Sequence, residues 1–122
     1  MRQAHIDIAR AYDALGPDGR TRFLVDRMWP RGVTKDTLRI EAWLRDVAPS
    51  TELRRWFGHD PARFETFRRR YRDELVAQDK KLRELRKRAR EGTLTLVYGA
   101  HDNEHNDAVV LAELLRRGRR ST

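Results

Sequence analysis

The apolar positions change period along the chain, and the changes outline the elements. His5 to Ala9 alternates, with Ile6 and Ile8 apolar, and predicts a short strand. Arg22 to Asp26 carries the continuous run Phe23-Leu24-Val25, which suits a strand covered on both faces. Ile40, Ala42 and Leu44 alternate again and predict a third strand over 40–44. From Phe64 onward the period becomes helical. Phe64, Phe67, Tyr71, Leu75, Leu82, Leu85 and Ala89 stand three, four or seven residues apart and form one narrow stripe, with a break expected near 77–79. The first four of these side chains are expected to face the sheet. Thr93 to Tyr98 is β-branched and apolar and predicts the clearest strand. Ala108, Val109, Leu111, Ala112, Leu114 and Leu115 predict a last helix that ends at Gly118.

Turn chemistry sets the boundaries. Asp13 to Gly19 holds Gly-Pro and Asp-Gly and reads as a turn. Pro30 and Gly32 end the second strand, and Thr34 can cap a short helical turn through Leu38. Ser50 caps a helix over 51–57 that Gly58 stops. Asp60 and Pro61 start the next helix as cap and first residue, and Gly92 closes the long helix as its C-cap. The order is strand, strand, strand, helices, strand, helix. It predicts a small α/β domain with an open, mostly parallel sheet of about four strands and flanking helices. A single domain over 1–117 followed by a basic tail at 118–122 is expected.

Composition narrows the chemistry. There is no cysteine among the 122 residues, which excludes disulfides, thiolate zinc sites and cysteine nucleophiles. No apolar run approaches the ~20 residues of a membrane span, and the first ten residues hold no apolar leader. A cytoplasmic protein without membrane contact is the expectation. Lys+Arg total 27 against 19 Asp+Glu, a net charge of +8. Much of the excess lies in Lys80–Arg90 and in Arg116, Arg117, Arg119 and Arg120. A solvated helix face looks like this, and so does a nucleic-acid contact through Lys80, Lys81, Arg83, Arg86, Lys87 and Arg90.

In open α/β sheets, sites form beyond the C-terminal ends of the strands. This chain puts Asp26, Arg27, Trp29 and Arg31 after its second strand, Arg45 and Asp46 after its third, and His101 to Asn106 after its last. Arg27 and Arg31 suit an anion, because guanidinium presents a planar fork of donors. Trp29 or Tyr98 can stack on a ring, and Asn106 is a further ligand contact or a helix cap. Asp26, His101 and His105 are the acid/base candidates, and His59 is a weaker one. His101 and His105 would share a helical face toward a metal only if the helix began by residue 101. The polar run argues against that, so no metal ligand is assigned. Asp107 reads as an acid favoured at the positive end of the last helix. No nucleophile elbow, phosphate-binding glycine loop or dinucleotide fingerprint is present, and the residues leave any cofactor unknown.

Four blocks in order carry a resemblance: Leu24 to Gly32, Ala42 to Ser50, Trp56 to Pro61, and Thr93 to Tyr98 with Glu104-His105-Asn106. Together they resemble the YeaO-like family, a bacterial domain-of-unknown-function family of small α/β proteins. A broader relative of that family carries Cys-His-Arg after its last strand. The corresponding place here holds Glu104-His105-Asn106, so thiol chemistry is not carried over. The expected function is binding of an anionic or nucleotide-like small molecule at the strand ends, with acid/base catalysis open. The alternative is a basic nucleic-acid-binding module. The pattern leaves oligomeric state open.

Overall fold

The structure, a computed structural model, describes residues 5–13 and 19–117. Four strands form one sheet: β1 (His5–Arg10), β2 (Thr21–Leu24), β3 (Ala42–Trp43) and β4 (Thr93–Tyr98). They run in the order β1-β4-β2-β3, and every pair is parallel. The most apolar strand takes an inner place, because β4 must be covered on both faces. Ile8 and Phe23 both register with Leu96 across it.

The period-two alternation sorts the strands onto two faces. Ile6, Ile8, Phe23, Leu94, Leu96 and Tyr98 point into the larger core beneath the helices. Leu24 and Val97 point the other way, where Leu38, Trp29, Val33, Ile40 and Trp43 cover them. The helices are α1 (Lys35–Leu38), α2 (Thr51–Phe57), α3 (Phe64–Leu75), α4 (Asp79–Glu91) and α5 (Asp107–Arg117). α4 and α5 lie on β1 and β4.

Most sequence boundaries stand. Thr34 caps α1 by accepting from Thr37 N, and Ser50 caps α2 by accepting from Leu53 N. Gly58 ends α2 in the left-handed region, at φ 54°. Asp60 caps a 3-10 turn begun by Pro61, which runs into α3. The expected break in the long helix is the 3-10 turn Val76–Gln78.

Four details differ. The third strand is only two residues long, because Leu44 N donates to Leu24 O and the chain then tightens into a 3-10 turn at Arg45–Val47. β2 ends at Leu24, and Asp26 is already outside the sheet. Gly92 follows α4 with φ 178°, extended backbone that any residue adopts, rather than a left-handed cap. Phe64, Phe67, Tyr71 and Leu75 are buried as expected, but α3 packs chiefly against α5 and α2 rather than against strands. The stripe faces inward because α5 already occupies the sheet surface. The turn expected over 13–19 falls largely, and the tail at 118–122 wholly, outside the described residues. Among the described residues no helix is long and apolar enough to cross a membrane.

Candidate functional site

β2 and β4 are neighbours, but the chain leaves them in opposite directions. From β2 it runs over the face covered by α1, and from β4 it returns as α5 on the helical face. A crevice therefore opens beyond their C-terminal ends, the usual ligand position in open α/β sheets. It forms a cavity of 470 Å³.

Asp26, just past β2, reaches across to the end of β4, where Gly99 N donates to its Oδ2 at 2.8 Å. A Cβ on Gly99 would stand 3.3 Å from that oxygen, so the approach favours glycine. Asp107 starts α5, and its carboxyl hydrogen-bonds that of Asp26. Both residues are half-buried by area, since the cavity admits solvent, yet protein surrounds them closely. Desolvation raises Asp26, while the hydrogen bonds from Asp107 and Gly99 and the charge of Arg54 pull the other way. Desolvation, and then the charge of Asp26, holds Asp107 well above the usual carboxylate range. Burial and the neighbouring carboxyl thus favour a proton held between the two groups.

Basic side chains share the cavity with this pair: Arg27, Arg31 and Arg54 line it, with His59 and His101. Arg27 Nε donates to Pro49 O at 2.9 Å, which fixes its plane. Arg54 projects from α2, and His59 sits at the corner beyond it with φ 58°. That left-handed conformation is uncommon for a residue with a Cβ. His101 Nδ1 lies 3.1 Å from Arg10 Nη2, whose Nε donates to Ala100 O at 2.9 Å. Apolar walls come from Trp29, Phe57 and Phe67. Trp29 is held by its Nε1 donating to Val33 O at 2.7 Å and by an edge contact with Trp43.

The structure brings Asp26, Arg27, Trp29, Arg31, His101 and Asn106 to this one cavity. Asn106 is occupied as the α5 cap: its Oδ1 accepts from Val109 N and its Nδ2 donates to Asp102 O. His105 and Tyr98 are not among the lining residues. His105 stands behind Asp102, 2.8 Å from its Oδ2, with its ring edge against Phe64. Tyr98 falls on the helical face with Leu94 and Leu96 and is buried in that core. Asp102 is held below its usual range by backbone donation from Glu104 N and by His105. Arg45 stacks on Trp43 and, with Asp46, lies away from the cavity. Among the described residues no group of three or more His, Asp or Glu is placed to hold a metal ion.

The family described as the "inactive DUF488-N3 subclade" matches residues 5–121, a span that includes every residue lining this crevice. The chain belongs to that family. Among relatives of this DUF488-N3 chain, the uncharacterised protein Rv3073c of Mycobacterium tuberculosis H37Rv is 43% identical over 94% of this chain and 97% of its own length. The uncharacterised protein Mb3100c of Mycobacterium bovis matches to the same extent. The uncharacterised protein YeaO of Escherichia coli K12 is 38% identical over 92% of this chain and 97% of its own, which bears out the YeaO-like resemblance. No solved structure matches the chain.

Two residues of this DUF488-N3 site escaped the sequence reading. Arg54 looks like one more solvated arginine on a short helix. Asp107 looks like an ordinary first-turn acid. The signal that could have found Asp107 is its position: it opens the helix after the last strand, next to the loop already marked as a site.

Proposed function

We propose that this protein binds a small anionic, nucleotide-like molecule in the cavity at the ends of β2 and β4. The observation that carries the reading is the convergence of Arg27, Arg31 and Arg54, from two separate segments, on one cavity with aromatic walls. A volume of 470 Å³ lies within the roughly 300–1,000 Å³ of small-molecule sites. Arg27, Arg31 and Arg54 line the cavity with Asp26, Asp102 and Asp107, and burial favours the uncharged form within the Asp26–Asp107 pair, so the balance of charge favours an anion. Arg27, Arg31 and Arg54 hold the anionic group, and Trp29 flanks the ring. Asp26 and His101 are the groups positioned to exchange protons with a ligand. The description of the family as inactive favours binding over turnover.

Thermal unfolding with inorganic phosphate, ribose 5-phosphate and nucleoside monophosphates tests this. A ligand at about 100 times its dissociation constant adds about 2.7 kcal/mol and raises the midpoint visibly. Arg54→Ala and Arg27→Ala should lose most of that shift. No shift with any phosphate, or a shift that survives both substitutions, rejects the reading.

The second reading is nucleic-acid contact through α4. Lys80, Arg83, Lys87 and Arg90 form one exposed row on that helix. Arg83 pairs with Asp79, Lys81 with Glu84, and Arg86 donates to Leu114 O, so much of the basic set has internal work. Salt-dependent binding of DNA or RNA, lost on Lys80→Glu with Lys87→Glu, is its test.

A further inference from the structure

The anion reading leaves the carboxyl pair without a task, since an anion gains nothing from two acids in the same cavity. Their hydrogen-bond capacity is specific. Asp26 Oδ2 takes the Gly99 N–H, and Asp107 accepts from Ala108 N at the start of α5. The shared proton occupies one further position between them. The lone pairs that remain toward the cavity are acceptors. Acceptors that face a binding site select donors. A ligand bringing two adjacent N–H groups would replace the shared proton and let each carboxylate take a charge-assisted hydrogen bond. Trp29 and Phe57, which line the same cavity, offer apolar wall to a flat ring.

Resting on the anion-site reading, we propose that Asp26 and Asp107 together recognise a nitrogen edge on the ligand. That edge presents a ring N–H beside an amino group, as a guanine-type base does, while the arginines hold the ligand's anionic group. The pair is then the specificity-determining element of the cavity, and the arginines supply general affinity.

The charged and titratable groups around the pair come from several elements: Arg27 and Arg31 after β2, Arg54 on α2 and His59 after it, Tyr71 on α3, and His101 and Asp102 after β4. The pH dependence is read in the unmodified protein and again in the His59→Gln, His101→Gln protein, so that the part of the carboxyl pair is separated. Ribose 5-phosphate controls for titration of the phosphate itself. Binding of guanosine monophosphate should release a proton, read as a buffer-dependent enthalpy, and should tighten from pH 6 to 8 more than binding of ribose 5-phosphate.

Calorimetry on the full chain decides the proposal. Guanosine monophosphate should bind at least about tenfold tighter than ribose 5-phosphate, with inosine monophosphate, which lacks the amino group, between them. Asp107→Asn and Asp26→Asn should each bring the ratio close to one. Arg54→Ala should weaken all three ligands together. Equal affinities in the unmodified protein overturn the proposal without needing any variant. A guanine preference that survives in both folded Asn variants overturns it as well. Guanosine monophosphate binding that depends on the pair, with ribose 5-phosphate binding absent and Arg54→Ala silent, overturns the anion reading and keeps this one. Absence of binding by every probe overturns both.

Discussion

Helix α5 carries two acids that meet opposite treatment. Glu113, midway along it, accepts from Arg68 Nη2 at 3.1 Å and from Arg72 Nη2 at 3.4 Å, both on α3. Asp107, at its first turn, meets another acid, Asp26, and shares a proton with it. Both are half-buried by area, but Asp107 is desolvated and then meets a like charge, whereas Glu113 meets two guanidinium groups. Opposite charges across a helix seam hold two elements in register. Two acids brought together from two separate segments gain no ion pair from each other. A fold keeps such an arrangement only where surrounding structure over-determines it, and such places cluster at binding sites.

The seam can be broken most severely through its apolar half. Phe67 is 1% exposed and stacks on Phe57 with ring centroids 4.3 Å apart. Phe67→Ala should cost about 3–5 kcal/mol in urea unfolding. A cost under about 1 kcal/mol would mean that α3 does not pack as described.

Breaking the polar half should cost less. Glu113→Ala leaves two half-buried arginines facing each other. Because both retain some solvent, a loss of about 1–2 kcal/mol is expected rather than the full penalty for a buried charge. The double variant with Arg68→Ala should recover part of the loss. A strictly additive result would show that the pair is not coupled.

The dyad should respond with the opposite sign. A raised carboxyl pKa means that the folded protein holds a proton which the unfolded chain has already released above about pH 4. Stability therefore falls as the pH rises from there through the folded-state value. Asp107→Asn removes that slope. It should match the unmodified protein near pH 4 and become more stable at neutral pH, by up to about 1 kcal/mol. Melting temperatures measured from pH 4 to 8 check this, and a gain that shrinks with pH contradicts the shared proton.

Arg69 sharpens the comparison from its null side. It is exposed on α3, facing away from the seam. Arg69→Ala should shift stability by no more than about 0.5 kcal/mol. A larger effect would place the seam on another face of the helix.

How much of this was readable in advance depends on the range of the interaction. Thr34, Ser50 and Asp60 announce their helix starts because a cap bonds a backbone N–H two or three residues away. The stripe from Phe64 to Leu75 announces its buried side because helical period fixes which residues share a face. Neither signal says what the buried side meets, and α5 rather than the sheet took that place. The site was legible by half. Asp26, Arg27, Trp29, Arg31 and His101 follow strands and were marked for that reason alone. Tyr98 and His105 satisfy the same rule, yet one points into the core and the other stands behind Asp102.

The sequence by itself determined the elements, their caps, the parallel α/β class and the strand ends at which polar residues gather, because all of these follow from local conformational preference and periodic burial. The tertiary structure alone decided that β4 lies between β1 and β2. That insertion brings Asp107 against Asp26, and Arg54 and His59 to the same cavity. No local preference encodes it. Strand order is set by which apolar faces bury one another over long separations, and the raised pKa of the Asp26–Asp107 pair arises only once that burial is complete.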